Sequence, residues 1–136
     1  MATETLTMAK ALTLGLAAAM QADDKVILMG EDIGPLGGVF RVTEGLQQQF
    51  GAHRVLDTPL AESGIVGAAI GLAMRGYRPV VEIQFDGFIF PAFDQITTQL
   101  AKLTARHEGA LQLPVVIRVP YGGHIGAVEH HQESPE

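Results

Sequence analysis

Short continuous runs of apolar residues alternate along the chain with longer segments in which apolar residues recur at helical spacing. The short runs cover residues 25–30, 54–57, 78–85 and 113–120, and they are typical of strands buried on both faces. The longer segments predict helices over residues 8–22, 43–50, about 61–75 and 91–109. Helices that alternate with buried strands predict an α/β fold, a parallel sheet covered by helices on both faces.

Residues at the predicted helix ends support these boundaries. Thr7 is a suitable N-cap for the first helix, and Gly51 and Gly76 are suitable C-terminal glycines for the second and third. Pro91 fits the first turn of the fourth helix, where its missing N–H costs little. The first helix also looks like the apolar part of a secretory signal, but it lacks a basic start, so we favour a helix of the fold.

The residues with the clearest chemical potential lie in loops that follow the predicted strands. These loops contain the sequences GEDIGPLGG, DTPLAE, EIQFDGF and PYGGHIG. Parallel sheets bind their ligands beyond the carboxyl ends of the strands, which all lie at one edge. The sequence therefore predicts a ligand site built from these loops.

The composition restricts the class of protein. The 136 residues fit one domain, and 47% hydrophobic residues are enough for a core. A net charge of −6 argues against nucleic-acid binding, and no apolar run reaches the roughly 20 residues that span a membrane. Without cysteine the chain has neither a disulfide nor a thiolate metal site. We expect a cytoplasmic protein.

Glu62 is a lone carboxylate at the start of an apolar helix. One interpretation is an ordinary first-turn glutamate, stabilised by the helix dipole by about 0.3–1 kcal/mol. The other is a carboxyl group in an apolar pocket beside Leu60, where it holds or shares a proton with a ligand. The glycines of this helix, Gly64, Gly67 and Gly71, predict close packing, either against the chain's own sheet or against another subunit.

Two further groups can carry chemistry. His130 and His131 are neighbours without metal-ligand spacing around them, so they are either solvated or one of them is an acid or base in a site. Phe88, between a strand and a helix, is the aromatic residue placed to face a ligand. These features alone do not name a reaction.

Three segments of the chain resemble a known family. They look like the β chain of the thiamin-diphosphate-dependent decarboxylating component of 2-oxo acid dehydrogenase complexes. Their sequences are MGEDIGPLGGVFRVTEGL, DTPLAESGIVGAAIGLAMRGYRPVVEIQFDGFIFPAFDQI and HHQESPE. The resemblance covers nearly the whole chain and the order of its motifs. It implies the thiamin-diphosphate-binding fold, with a transketolase-like pyrimidine-binding domain over residues 1–136 that we expect to be incomplete at its C-terminal end.

The resemblance implies roles for individual residues. Glu62 would bind N1′ of the cofactor's aminopyrimidine and share a proton that favours the imino form of the 4′-nitrogen. Phe88 would line the pyrimidine pocket, with Leu60 and Gln84 at neighbouring positions. His131 would be the active-site histidine, near the reaction intermediate and the incoming lipoyl group.

The resemblance also implies ions and partners. Val115 would lie where some relatives bind a potassium ion through backbone carbonyls. An α chain would hold the diphosphate and its magnesium ion, in a heterotetramer of two α and two β chains. A lipoyl acyltransferase core would accept the acyl group, and the substrate would be a small 2-oxo acid.

Several functions stay open from the sequence. The motifs look nearest to branched-chain enzymes, which act on 3-methyl-2-oxobutanoate, and a pyruvate or acetoin dehydrogenase is the alternative. A second hypothesis is a carbon–carbon transferase of the wider transketolase group. A third hypothesis is a non-catalytic domain that only binds a partner chain. The preferred 2-oxo acid does not follow from this chain, because much of the substrate pocket would come from the α chain.

Overall fold

The computed structural model describes residues 5–122, 126, 129, 131 and 132, and it confirms the predicted parallel α/β fold. One sheet has the order β2-β1-β3-β4, with β1 (Val26–Gly30), β2 (Val55–Asp57), β3 (Arg78–Glu82) and β4 (Val116–Arg118) all parallel. The helices are α1 (Met8–Ala22), α2 (Leu46–Phe50), α3 (Glu62–Met74), α4 (Ile89–Asp94) and α5 (Ala101–Arg106). A 3₁₀ turn (Asp86–Phe88) precedes α4, and a π-helical segment (Gln95–Leu100) joins α4 to α5.

Helices cover both faces of the central strand β1. Successive side chains of a strand point to opposite faces, so an uninterrupted apolar run must be buried on both. Val26 and Leu28 pack into a cluster with residues of α1 and α2, and Ile27 and Met29 pack into another with residues of α3. All five residues of β1 are buried, as the apolar run predicted.

Helix α1 begins where the sequence predicted. The Thr7 hydroxyl accepts a hydrogen bond from the Lys10 N–H at 3.3 Å, which makes Thr7 the N-cap. Met20 is fully buried and Leu16 packs beside it, so this helix is joined to the core by its C-terminal half. Within the part of the chain that the structure describes, no helix is both long and apolar enough to cross a membrane.

The fourth predicted helix begins earlier than expected. Helix α4 starts at Ile89, two residues before Pro91, because the 3₁₀ turn already brings the chain into a helical path. Pro91 still lies in the first turn, where a backbone N–H has no carbonyl partner within the helix. Pro91 therefore predicted the helix correctly, but not its first residue.

The apolar face of this helical region also differs in one position. Ile96, Leu100 and Leu103 pack against the buried cluster between α3 and α4, as expected. Phe93 was expected with them but is 40% exposed, because Ala92, four residues before Ile96, occupies the buried position.

Candidate active site

The strand order creates a crevice at the edge of the sheet where the strands end. From β1 the chain crosses to β2 on one side, whereas β3 and β4 lie on the other side. The connections after β1 and β3 therefore run to opposite sides, and open parallel sheets bind ligands at such a point. The loop after β1 carries Glu31 and Asp32, and the loop after β3 carries Gln84 and Phe88.

Glu62 is a buried carboxyl at this edge. It is the first residue of α3, which follows β2, and only 5% of its surface is exposed. The preceding residue, Ala61, provides no side-chain cap, so the positive end of the helix dipole is available to the Glu62 carboxylate. This burial is compatible with the pocket interpretation, and the role of Glu62 stays a prediction.

Leu60, predicted to line the same pocket, lies just before α3. It is 76% exposed, so it does not cover Glu62 within this chain. A large apolar side chain this exposed at the ligand edge is available to a ligand or to a partner chain. The role of Leu60 as a pocket residue stays a prediction.

Glu31 is a second buried carboxyl beside Glu62, and sequence reasoning missed it. It is 6% exposed, and its Oε1 has no hydrogen-bond partner among the described residues. Burial raises the pKa of Glu31 above its ordinary value of 4.5, and the charges of Glu62 and Asp32 raise it further. The one signal in the sequence was a charged residue directly after a fully buried strand.

We expect Glu31→Gln to stabilise the folded protein at neutral pH by on the order of 1 kcal/mol. Because folding raises the pKa of Glu31, its ionised form opposes folding once the pH exceeds the unfolded-state value. The gain should therefore be complete at pH values above the folded-state pKa and disappear below about 4.5. Thermal unfolding of the wild type and the variant across this pH range measures the difference.

The exposed Glu44 offers a matched control for this substitution. Glu44→Gln removes a solvated carboxylate from the same loop region and should change stability by less than about 0.5 kcal/mol at any pH. A pH-independent difference between Glu31→Gln and the wild type would contradict the titration argument, even if the variant were more stable.

The glycine-rich loop after β1 is shaped by its own packing. The Gly34 N–H donates to Asp57 Oδ1 at 2.6 Å, and a Cβ on Gly34 would lie 2.6 Å from Asp57 Oδ2. Gly37 has a φ of +82°, and a Cβ there would lie 2.6 Å from the Cα of Glu44. These contacts account for the glycines of GPLGG without a bound phosphate.

An aromatic cluster of Phe40, Phe85, Phe88 and the His131 imidazole lies at the same edge. The ring of Phe85 packs edge to face against the other three, with centroid distances of 6.1 Å to Phe40, 5.5 Å to Phe88 and 4.3 Å to His131. Phe88 is half-buried, which is compatible with the predicted ligand contact. The predicted site residues Phe88 and His131 are therefore connected through one ring.

Gln84 directly precedes Phe85 of the aromatic cluster and connects its loop to Asp32. Its Nε2 donates to Asp32 Oδ2 at 3.2 Å, which ties the loop after β3 to the loop after β1. His131 also lines a mostly apolar cavity of about 520 Å³ between α1 and the end of β4. His130 lies outside the described residues.

Two other predictions concern residues away from this edge. The Val115 side chain packs against the core around β1 and α3, and the potassium site, which would use its backbone carbonyl, stays a prediction. Gly64 and Gly71 are exposed, and a Cβ on Gly71 would meet no atom within 4 Å. At these two glycines the chain's own sheet does not approach closely, and packing against another subunit stays a prediction.

Comparison with known proteins gives matches along almost the entire chain. The family model described as transketolase, pyrimidine binding domain matches residues 4–136. The chain is 74% identical over 133 residues to the pyruvate dehydrogenase E1 component subunit beta of Leifsonia xyli, which covers 98% of this chain and 40% of that protein.

Two further relatives are similar to a lower degree, and one of them is named for a different substrate. The 3-methyl-2-oxobutanoate dehydrogenase subunit beta of Mycobacterium tuberculosis is 56% identical over 134 residues, covering 98% of this chain and 38% of that protein. The pyruvate dehydrogenase E1 component subunit beta of Acholeplasma laidlawii is 48% identical over 131 residues, 96% of this chain and 40% of that protein. The chain thus spans about 40% of the length of these relatives.

Proposed function

Because the chain belongs to the family of transketolase pyrimidine-binding domains, we propose that it forms the aminopyrimidine half of a thiamin diphosphate site in the β subunit of a 2-oxo acid dehydrogenase. The observation that carries this proposal is the buried Glu62 carboxyl at the ligand edge, beside the buried Glu31. Two neighbouring carboxyls out of water favour a state in which one proton is retained. A pyrimidine ring nitrogen is a base that can share such a proton.

The residues at the edge fit an aminopyrimidine ring. Glu31 Oε1 and Thr58 Oγ1 are both buried without a hydrogen-bond partner among the described residues, and both lie at this edge. A polar ring that carries donors and acceptors can satisfy such atoms. The half-buried ring of Phe88 adds a flat apolar surface for it to pack against.

Each side chain has a distinct part in the proposed reaction. Glu62 would hold a proton at its carboxyl oxygen toward N1′, and its burial would keep water from competing for that proton. Phe88 and Leu60 orient the ring, and Gln84 fixes the loop that carries Phe88. His131 moves a proton near the reacting carbon. When bound, thiamin diphosphate supplies a nucleophilic carbon and an electron sink for decarboxylation.

We assign the remaining half of the site to an α chain. No group of three or more His, Asp or Glu side chains within the described ranges is arranged to hold a metal ion. In our proposal, as the family resemblance implies, magnesium and the diphosphate belong to the α chain of a heterotetramer with two α and two β chains. The proposal has three further parts. The Val115 carbonyl binds potassium, the acyl group is transferred to lipoamide of an acyltransferase core, and the protein is cytoplasmic.

The names of the relatives bear on the substrate. The relative that is 74% identical is a pyruvate enzyme, and one that is 56% identical is a 3-methyl-2-oxobutanoate enzyme. The higher identity to the pyruvate enzyme favours pyruvate as the substrate, whereas the sequence motifs alone favoured a branched-chain 2-oxo acid. We propose a small 2-oxo acid as substrate and treat the choice between these two as open to measurement.

The test is decarboxylation by the complete β subunit assembled with its α chain. We expect turnover of a 2-oxo acid that requires added thiamin diphosphate, and the ratio of kcat/KM for pyruvate and 3-methyl-2-oxobutanoate identifies the preferred substrate. A branched side chain adds two methyl groups, so a preference of about 10- to 200-fold is expected in one direction. A stable complex that turns over neither acid would instead support the non-catalytic domain, and ketol transfer would support the transketolase reading.

A further inference from the structure

Phe85 occupies a fixed position between two candidate site residues. It directly precedes the 3₁₀ turn, and its carbonyl oxygen accepts a hydrogen bond from the Phe88 N–H at 3.0 Å. This bond closes the turn and sets the separation between the two residues. Asp86, within the turn, is fully buried, so the turn is anchored in the protein and does not lie free on its surface.

Of the three rings that Phe85 contacts in the aromatic cluster, the His131 imidazole is the nearest. Their centroids are 4.3 Å apart at an interplanar angle of 82°, an edge-to-face arrangement. His131 is held from its backbone as well, because its carbonyl accepts a hydrogen bond from the Gly122 N–H at 3.3 Å. A side chain restrained at both its backbone and its ring has few orientations left.

We propose that Phe85 is a positioning residue, whose ring holds the His131 imidazole in its working orientation and at a set distance from Phe88. This inference rests on the proposed function, because it gives His131 a role in the reaction. Phe85 itself needs no contact with the substrate. Its effect is exerted through the imidazole, and a displacement of about 1 Å in such a group can cost a factor of about 100 in rate.

The simpler explanation is that Phe85 only fills space at the end of the sheet. In that case its removal would lower stability and leave the reactivity of His131 unchanged. The two explanations differ in whether the effect of Phe85 depends on the presence of His131. A double-mutant cycle measures this dependence directly.

We expect Phe85→Leu, in the complete β subunit assembled with its α chain, to lower kcat about 10- to 100-fold with little change in the binding of thiamin diphosphate. In a His131→Asn background the same substitution should lower kcat by less than about twofold. Phe85→Tyr retains the ring and should keep most of the activity. Equal losses in both backgrounds would overturn the proposal, because Phe85 would then act independently of His131.

Phe50→Leu is a matched control for the loss of a half-buried ring. Phe50 packs against the core cluster of α1, α2 and β1 and has no contact with the aromatic cluster in the described structure. Its substitution should lower stability without changing kcat. A loss of kcat as large as that of Phe85→Leu would show that general loosening of the fold explains both results and would overturn the proposal.

A second readout does not depend on turnover. Diethyl pyrocarbonate modifies accessible imidazoles, and peptide mass spectrometry assigns the modified histidine. We expect modification of His131 to be faster in Phe85→Leu than in the wild type and unchanged in Phe50→Leu. If the wild-type assembly turned over no 2-oxo acid, the proposed function would fail, yet this comparison would still decide whether Phe85 holds His131. Equal modification rates in the wild type and Phe85→Leu would overturn the proposal.

Discussion

Turnover of a 2-oxo acid should fall about 100- to 10,000-fold when Glu62 is replaced by Gln in the complete β subunit assembled with its α chain. Glutamine keeps the size of the side chain and one acceptor oxygen, but it cannot hold or release a proton. Because Glu62 is only 5% exposed, water has little access to replace the lost function. The measurement is thiamin-diphosphate-dependent decarboxylation under saturating substrate.

Cofactor binding separates this loss from a loss of structure. Glutamine can still form a hydrogen bond with a ring nitrogen, so we expect the affinity for thiamin diphosphate to change by less than about tenfold. The exposed Glu108 provides the control, and Glu108→Gln should leave both turnover and cofactor affinity unchanged. Full turnover in Glu62→Gln would return Glu62 to an ordinary first-turn glutamate and remove the basis of the proposed mechanism.

The position of Glu62 explains how a carboxyl can be buried at this edge. The first N–H groups of a helix lack partners within it, and together with the dipole they favour a negative group at the first turn. This partly offsets the cost of removing the carboxylate from water. Glu31 has no such support, because it lies in a loop and one of its oxygens has no partner among the described residues. The surroundings of the two neighbouring carboxyls therefore differ in how well they support a negative charge.

The difference between the surroundings of Glu31 and Glu62 bears on the protonation of Glu31. Burial and the neighbouring charges raise the pKa of Glu31, so the surroundings of this carboxyl favour its protonated form. A ring nitrogen beside Glu62 changes that balance, since a new base then competes for the proton. Glu31, when protonated, is thus a buried proton donor at this edge.

Much of the fold was predictable because it depends on local patterns. The uninterrupted apolar run of β1 predicted a strand buried on both faces, and Thr7 predicted the first residue of α1. The start of α4 was not predicted, since Pro91 is compatible with several positions in a first turn and the 3₁₀ turn before it has no distinct pattern. Local signals identify an element more reliably than its boundaries.

The site was predictable one residue at a time, but its contacts were not. Glu62 stood out as a lone charge in an apolar segment, whereas Glu31 became a candidate only when the strand order placed it beside Glu62. The contact between Phe85 and His131 joins two distant segments, and no periodicity along the chain indicates it. Such contacts depend on the fold of the whole chain, which no local pattern indicates.

The ion pair between Glu82 and Arg118 is another contact of this kind. The two residues are register partners on β3 and β4, and Arg118 Nη2 donates to Glu82 Oε2. Their side chains are only 5% and 17% exposed. Burial lowers the pKa of the Arg118 guanidinium, because removal from water disfavours its charged form. The other Glu82 oxygen, Oε1, has no hydrogen-bond partner among the described residues.

We expect Arg118→Met to lower the free energy of unfolding by about 3–5 kcal/mol, since it leaves the Glu82 carboxylate buried without a counter-charge. The double variant Glu82→Leu, Arg118→Met should recover most of this loss, because two apolar side chains of similar volume avoid the cost of burying charge. The exposed pair Arg78–Asp23, 2.9 Å apart with side chains 61% and 37% exposed, provides the comparison. Arg78→Met should cost less than about 1 kcal/mol.

Denaturant unfolding of the four proteins, the wild type and these three variants, distinguishes a buried charge from lost packing. If packing were the main loss, the double variant would be no more stable than Arg118→Met, because both lack the arginine side chain. Equal costs for Arg118→Met and Arg78→Met would contradict the assignment, since they would mean that water reaches the Glu82 carboxylate as freely as it reaches the surface pair.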